Sequence, residues 1–323
     1  MPSLASRLLS PLLVLQSGPS TSIDGSGTAR GSQTADVTSP TTYAYSVVDG
    51  FFRQSSPSFP TNDPTYDPLQ DSFGLIDKSS SRWKRFKRDI KRLNEDGEER
   101  TSVKVLFLAR HGQGYHNVAE SKYGTPAWNS YWSKLDGDGE ITWGPDALLT
   151  PLGENQARAV NRAWKEQRDD DAPLPTSLYS SPLSRAASTL KITWEGVLLG
   201  VVEEGTEEVK PVFKEKLREV MGVHTCDQRR DKTYLHSSYP TYSFEPGFAE
   251  EDELWSPIVR ETDDELDKRI QAQLDEIFST DNATYVSITA HGGVIGGFFR
   301  VLGHRKIAVP PGGMVPIVVQ ARR

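Results

Sequence analysis

Between Val103 and Val319, short apolar runs of strand length alternate with longer segments whose apolar residues recur at helical spacing. That alternation restricts the chain to folds that interleave helices with a sheet. Val103-Lys-Val-Leu-Phe-Leu108 is a run of the first kind, ending at a polar turn, and reads as a buried strand. Thr150-Pro151 pairs a capping hydroxyl with a proline at the first helical position, and Val160, Ala163 and Trp164 then share one face. Ser177–Ser180 reads as a strand. Ser181-Pro182 repeats the cap-and-proline start, with Leu183, Ala186, Ala187, Leu190, Trp194 and Val197 continuing at helical period. Thr262-Asp-Asp-Glu265 is a capping box opening a helix that carries Leu266, Ile270, Leu274 and Ile277 on one face. Tyr285–Thr289 is a strand, His291-Gly-Gly leads into an apolar helix through Leu302, and Met314–Val319 is a final strand. The repeated order predicts an α/β fold: a three-layer α/β/α sandwich around a mostly parallel central sheet.

Composition narrows the function. Of 323 residues, 37 are basic and 44 acidic, a net charge of −7, so there is no positive excess for a general nucleic-acid binder. The longest apolar runs are far shorter than a bilayer span. Cys226 stands alone, which excludes an internal disulfide and a cysteine-rich zinc site. Residues 1–42 hold none of the chain's aromatic residues and are rich in Ser, Thr and Gly. They read as a disordered N-terminal extension, and residues 43–323 as the folded domain. The stretch Leu8–Leu15 is only a faint signal peptide, broken by Ser10 and Pro11, and the lone sequon at Asn282 adds little. A cytoplasmic protein is expected, with secretion the minority reading. Trp83, Phe86, Ile90 and Leu93 lie at helical spacing among seven basic residues, Arg82 to Arg92. Such a helix either packs by its aromatic face or lies on a membrane surface, and four anchors over three turns favour packing.

The chemistry concentrates in Leu108-Ala-Arg110-His111-Gly112-Gln-Gly114-Tyr-His116-Asn117, directly after a buried strand. Loops at the carboxyl ends of parallel strands are where open α/β sheets place ligands. Arg110 sets a guanidinium fork beside an imidazole, Gly112 and Gly114 let backbone approach a ligand, and Asn117 adds a donor. The segment reads as an anion pocket holding a nucleophile or base.

This motif resembles the histidine phosphatase superfamily, the phosphoglycerate-mutase-like family, whose signature is Arg-His-Gly after the first core strand with Asn six residues beyond the histidine. Further elements follow in the family's order. Leu149–Gln156 is similar to its first helix start, and Ser180–Thr189 to the segment carrying a second phosphate-binding arginine, here Arg185. Leu217-Arg-Glu219-Val-Met-Gly222 is similar to the acidic proton-donor segment, and Thr289-Ala-His291-Gly-Gly293 to the second-histidine turn. The likeness covers roughly residues 103–302, and the Tyr-Ala-Tyr opening at Tyr43 is most similar to a fungal-type branch. The resemblance implies a phosphoglycerate-mutase-like fold. It implies His111 as a nucleophile forming a phosphohistidine, with Arg110, Arg185, His291 and Asn117 on the phosphoryl oxygens. Glu219 would act as acid and then base, although Glu215, Asp227 and Glu245 lie nearby. Arginines supply the positive charge phosphoryl transfer needs, so no metal or cofactor is expected.

The chain departs from glycolytic mutases after Glu219. Their tyrosine-bearing phosphoglycerate site is absent, and Val220-Met-Gly-Val-His224-Thr-Cys226-Asp227-Gln-Arg229-Arg230 stands there. The expected activity is therefore a phosphatase acting on a small phosphorylated substrate, with a mutase or a phospho-ligand-binding pseudo-enzyme as alternatives. His224, Arg229 and Arg230 form either a second anion subsite or a solvated charge cluster. Trp128, Trp132 and Trp143 surround Asp136-Gly-Asp-Gly139 as either a substrate lid or packing beneath a loop. Oligomeric state leaves no signal in the sequence.

Overall fold

Apolar runs that must bury both faces settle the centre of the molecule. In the computed structural model, which describes residues 42–61, 67, 69–201 and 209–323, the run at 103–108 lies within the long strand β2 (Thr101–Arg110), whose residues 103–109 are all buried. The other strands are β1 (Ala44–Val47), β3 (Ser177–Ser180), β4 (Val212–Phe213), β5 (Ser243–Phe244), β6 (Tyr285–Ala290) and β7 (Met314–Arg322). Among the described residues they form one sheet in the order β1-β7-β2-β6-β3-β4-β5. The pairs β2–β6, β6–β3, β3–β4 and β4–β5 are parallel. β7 runs antiparallel to both β2 and β1, so the sheet is mixed but mostly parallel. The tyrosine-rich opening supplies the edge strand β1: Tyr43 is buried and the Tyr45 hydroxyl bonds Asp275 at 2.8 Å.

The helices are α1 (Asp71–Gly74, a single turn), α2 (Arg82–Glu95), α3 (Tyr115–Tyr123), α4 (Thr125–Ser130), α5 (Pro151–Asp169), α6 (Ser184–Trp194), α7 (Lys232–Ser238), α8 (Asp263–Thr280) and α9 (Gly292–Val301). Alternate residues of β2 face opposite layers, as a two-residue period requires. Val105 and Phe107 join Trp83, Phe86, Trp164, Leu190 and Trp194 from α2, α5 and α6. Leu106 and Leu108 join Leu266, Ile270, Leu274, Val294 and Phe298 from α8 and α9. This is the three-layer α/β/α arrangement. The aromatic face of α2 is packed inward, and its charges meet acidic partners, including Asp171 for Lys87 at 2.6 Å and Asp170 for Arg82. Among the described residues no helix is long and apolar enough to cross a membrane. The reading of residues 1–42 falls outside the described residues except at Thr42.

Local signals place the caps of α5 and α8 as expected. The Thr150 hydroxyl accepts the Gly153 N–H at 3.1 Å, and Thr262 and Glu265 close a reciprocal capping box. The start of α6 differs. Ser181-Pro182 does not open it; the helix begins at Ser184 and ends at Trp194, short of Val197. A distant carboxylate does the capping: Asp146 accepts the Ser184 N–H at 2.8 Å and its hydroxyl at 2.5 Å. The Ser181 hydroxyl accepts only the Leu183 N–H, at 3.3 Å, just before the helix.

Register decides where the site falls. Arg110 stands opposite Ala290, and Ser180 opposite Thr289, so β2, β6 and β3 end at one level. The residues that follow them, His111, His291 and Ser181, therefore emerge side by side at the carboxyl edge of the parallel strands.

Candidate active site

His111 is the centre of this edge. Its backbone N–H bonds the Ala290 carbonyl at 3.0 Å, and its Nδ1 lies 2.6 Å from the Gly112 carbonyl. A carbonyl only accepts, so Nδ1 carries the proton and Nε2 keeps its lone pair. The ring is 2% exposed. Burial first, then the Arg185 charge, push its pKa well below the ordinary histidine value, which keeps it neutral. Gly112 is required by contact. A Cβ there would sit 2.2 Å from the Gly153 carbonyl oxygen, and one on Gly153 would sit 2.1 Å from that of Gln113. The two glycines let the start of α5 press against the histidine loop, while Thr189 accepts the Gly112 N–H at 3.0 Å.

Arg110, the last residue of β2, donates from Nη1 to the Val309 carbonyl at 2.9 Å, and its buried Nε has no protein partner. Arg185, on the first turn of α6, is fully buried. It donates to the Cys226 carbonyl at 2.6 Å and to Asp227 at 2.7 Å, and its Nε is likewise unpartnered. Burial opposes its charge, but Asp227 and other acidic neighbours outweigh that and raise its pKa. His291 lies with its ring 5.0 Å from that of His111. The Ser181 hydroxyl takes its Nε2 at 2.8 Å, which leaves a buried, unpartnered Nδ1. Burial and Arg185 lower its pKa strongly.

Glu219 faces these groups. Its carboxylate accepts the Val220 N–H at 3.0 Å and the Gly293 N–H at 3.2 Å. A Cβ on Gly293 would sit 2.3 Å from its Oε1, so the second glycine after His291 makes room for the carboxyl group. Burial first, and Asp227 second, raise its pKa. Arg110, His111, Asn117, Arg185 and Glu219 share one polar cleft of about 240 Å³, small-metabolite size, and Gly293 of the His291 turn lines it too. The set offers an imidazole lone pair, two guanidinium groups with open donors and a carboxyl group whose pKa is raised, a combination suited to phosphoryl chemistry.

The comparison with known proteins agrees with this geometry. Residues 106–310 match the model of the histidine phosphatase superfamily (branch 1). The chain belongs to the histidine phosphatase superfamily. The probable phosphoglycerate mutase of Arthroderma benhamiae is 43% identical over 290 residues, 86% of this chain and 84% of that protein. Phosphomutase-like protein 3 of Candida albicans is 34% identical over 278 residues, 85% of this chain and 79% of that one. The probable phosphoglycerate mutase PMU1 of Saccharomyces cerevisiae is 36% identical over 292 residues, 85% and 95% respectively.

Not every residue singled out from sequence reaches this histidine phosphatase cleft. Arg229 is 4% exposed and donates to Glu215 at 2.5 Å and to the carbonyls of Ala249, Arg230, Glu250 and Glu251. Its five donors are spent on holding loops together. Arg230 lies over the Tyr234 ring and lines a separate recess with Tyr115, Trp143 and Asp146. Neither reading of His224, Arg229 and Arg230 describes them: Arg229 is buried and not solvated, and His224 alone of the three lines the cleft, so they do not meet in one anion subsite there. Asn117 lines it too, but its Oδ1 accepts the Gly114 N–H at 3.0 Å at the start of α3. Trp128, Trp132 and Trp143 pack with Ala119, Ala147, Tyr123 and Cys226 beneath the loop, and only Trp128 reaches the cleft wall.

Other residues arrive that the sequence reading gave no role. His116 is buried, its ring 5.3 Å from that of His111, with Nδ1 unpartnered. Its place one residue before Asn117 in the same glycine-rich segment was the available signal. Arg260 lines the cleft from a loop with no motif. Among the described residues, His224, Cys226 and Asp227 bring one ligand atom each within 4.8 Å of one another, a grouping that spacing alone did not suggest. It is a poor cation site: Asp227 is already paired with Arg185, and burial pushes the Cys226 thiol well up.

Proposed function

We propose that this chain hydrolyses a small phosphomonoester through a phosphohistidine at His111, without a metal ion. The observation that carries the reading is the pairing, in one cleft, of a neutral imidazole with Nε2 free and a carboxyl group whose pKa is raised. Nε2 attacks phosphorus, and the bond from phosphorus to the ester oxygen breaks. Arg110 and Arg185 neutralise the equatorial oxygens, His291 offers Nδ1, and the Gly112 carbonyl holds the Nδ1 proton as positive charge develops on the ring. Protonated Glu219 gives its proton to the departing alkoxide. The resulting carboxylate then takes a proton from water, the hydroxide attacks phosphorus, and the phosphorus–nitrogen bond breaks to release phosphate and neutral His111.

The mutase reading has its own support in the names of the Arthroderma and Saccharomyces relatives. In that reaction the phosphoryl group returns to another hydroxyl of the same substrate class instead of passing to water. A panel of sugar and acid phosphates separates the two by phosphate release against positional isomerisation. Hydrolysis is expected to dominate, to survive EDTA, to be blocked by vanadate and to vanish in His111→Ala. Isomerisation faster than phosphate release would replace the hydrolase with a mutase. Neither reaction on any substrate would leave a phospho-ligand-binding protein. Activity lost on chelation and restored by a divalent cation would remove the metal-free mechanism.

A further inference from the structure

The cleft holds more positive charge than one phosphoryl group engages. Arg260 reaches it from the loop between Trp255 and α8. Its Nη1 donates to the Gly222 carbonyl at 2.6 Å and approaches Asp227 at 3.5 Å. Among the described residues, Nε and Nη2 donate to no protein atom. The side chain is 32% exposed, tethered at one nitrogen and open at the others. Asp227 does not cancel both guanidinium charges, since its single negative charge is shared between Arg185, at 2.7 Å from one oxygen, and Arg260, at 3.5 Å from the other. His224 stands beside it, held neutral: burial, then Arg260, push its pKa down to about 4, and Lys134 acts in the same direction.

This corner is built with strain. Gly222 has φ +87° and Val223 φ +63°, and a β-branched residue is costly in that region. A Cβ on Gly222 would sit 1.8 Å from the Val259 carbonyl oxygen, so only glycine lets the two loops meet. Val223 donates to the Ser256 carbonyl at 2.7 Å, Glu261 to that of Met221 at 2.9 Å, and the Trp255 indole to that of His224 at 3.0 Å. The strained turn and the Arg260 loop are thus one unit that presents a guanidinium and a neutral imidazole to the cleft.

We propose that Arg260, with His224 beside it in the cleft wall, forms a recognition subsite for a second anionic group, a carboxylate or a second phosphate, on the substrate's leaving group. The inference rests on His111 and its arginines taking the phosphoryl group. It replaces a subsite at Arg229 and Arg230 with one whose donors are unspent.

Calorimetric titration of the full chain with non-hydrolysable phosphonates tests it. Propylphosphonate carries the phosphoryl mimic alone, 3-phosphonopropionate adds a carboxylate, and propane-1,3-bisphosphonate adds a second phosphonate. The wild-type chain is expected to bind at least one of the two-anion ligands about 10- to 100-fold tighter than propylphosphonate, the range for a charge-assisted contact. Which one separates carboxylate from phosphate. Arg260→Gln should erase that ratio and Arg260→Lys keep part of it, the lysine variant serving also if the glutamine variant does not fold. A wild-type ratio near one, or a ratio unchanged in Arg260→Gln, or in Arg260→Met should the glutamine variant not fold, overturns the subsite. Failure of all three ligands to bind overturns it together with the phosphoryl site beneath it. Tight, Arg260-dependent binding without any hydrolysis of p-nitrophenyl phosphate sinks the hydrolase reading and leaves the subsite standing.

Discussion

Asp227→Asn tests how the site is held together. Arg185 has no solvent contact and Asp227 almost none, so water does not screen their 2.7 Å pair. Removing the carboxylate's charge leaves a buried guanidinium with a carbonyl and a neutral amide. Breaking a buried ion pair from one side costs about 3–5 kcal/mol, and since asparagine still offers an acceptor the loss belongs near the lower end, about 3 kcal/mol. For a domain of this size that is a drop in melting temperature of roughly 6–12 °C. A second effect separates this substitution from simple destabilisation. After burial, Asp227 is the main influence raising the Glu219 pKa. Glu219 serves as the acid only while protonated, so activity falls as pH rises through its pKa. Without the Asp227 charge that pKa drops toward the ordinary glutamate value, and the alkaline fall in kcat moves to lower pH.

The assay is a urea or thermal melt together with a pH–rate profile on one alkyl phosphate, wild type against Asp227→Asn. A melting temperature within 2 °C of wild type refutes the pairing argument. An alkaline limb that stays or moves upward refutes the electrostatic one. Loss of alkyl phosphate turnover with no displaced limb would make Asp227 the proton donor and return Glu219 to a structural role.

Glu219→Gln should cost about 10²–10⁴-fold on alkyl phosphates and far less in the first turnover of p-nitrophenyl phosphate, whose leaving group needs little protonation; a nitrophenol burst followed by slow turnover is the expected trace, and equal losses without a burst count against it. Gly293→Ala should displace the Glu219 carboxyl, since a methyl group there would lie 2.3 Å from Oε1; alkyl phosphate turnover falls while p-nitrophenyl phosphate is the less affected, and an unchanged ratio of the two rejects the contact. Thr150→Ala removes the cap that accepts the Gly153 N–H at 3.1 Å and should lower stability by about 1 kcal/mol in a urea melt.

What could be read from the sequence follows from what is local. The burial of β2, the cap at Thr150 and the box at Thr262–Glu265 each depend on residues within a few positions, so their patterns appear along the chain. The residues of the candidate site were legible for a related reason. Arg110, His111 and His291 lie at strand ends and Arg185 at a helix start, and the parallel register aligns the ends of β2, β6 and β3, whereas Glu219 sits in a loop that only the family resemblance pointed to. The α6 start failed because its capping carboxylate, Asp146, lies 38 residues upstream. No local rule foretells that Ser181, besides accepting the Leu183 N–H, bonds a histidine 110 residues away.

The arginines show the same limit more sharply. Arg229, Arg230 and Arg260 are chemically identical, and the first two drew notice only because they are adjacent. Adjacency measures charge density along the chain, whereas ligand binding needs donors left over after the fold has used its share. Arg229 spends its donors on Glu215 and four backbone carbonyls drawn from loops up to 22 residues away. Arg260 spends one nitrogen on Gly222, 38 residues back, and keeps the rest. That remainder is a property of packing, because a guanidinium satisfied by carbonyls holds loops in place and an unsatisfied one can hold a substrate. The sequence fragment around Arg260 contains no motif, and its significance appears only once the turn at Gly222 and Val223 holds it in the cleft wall with His224.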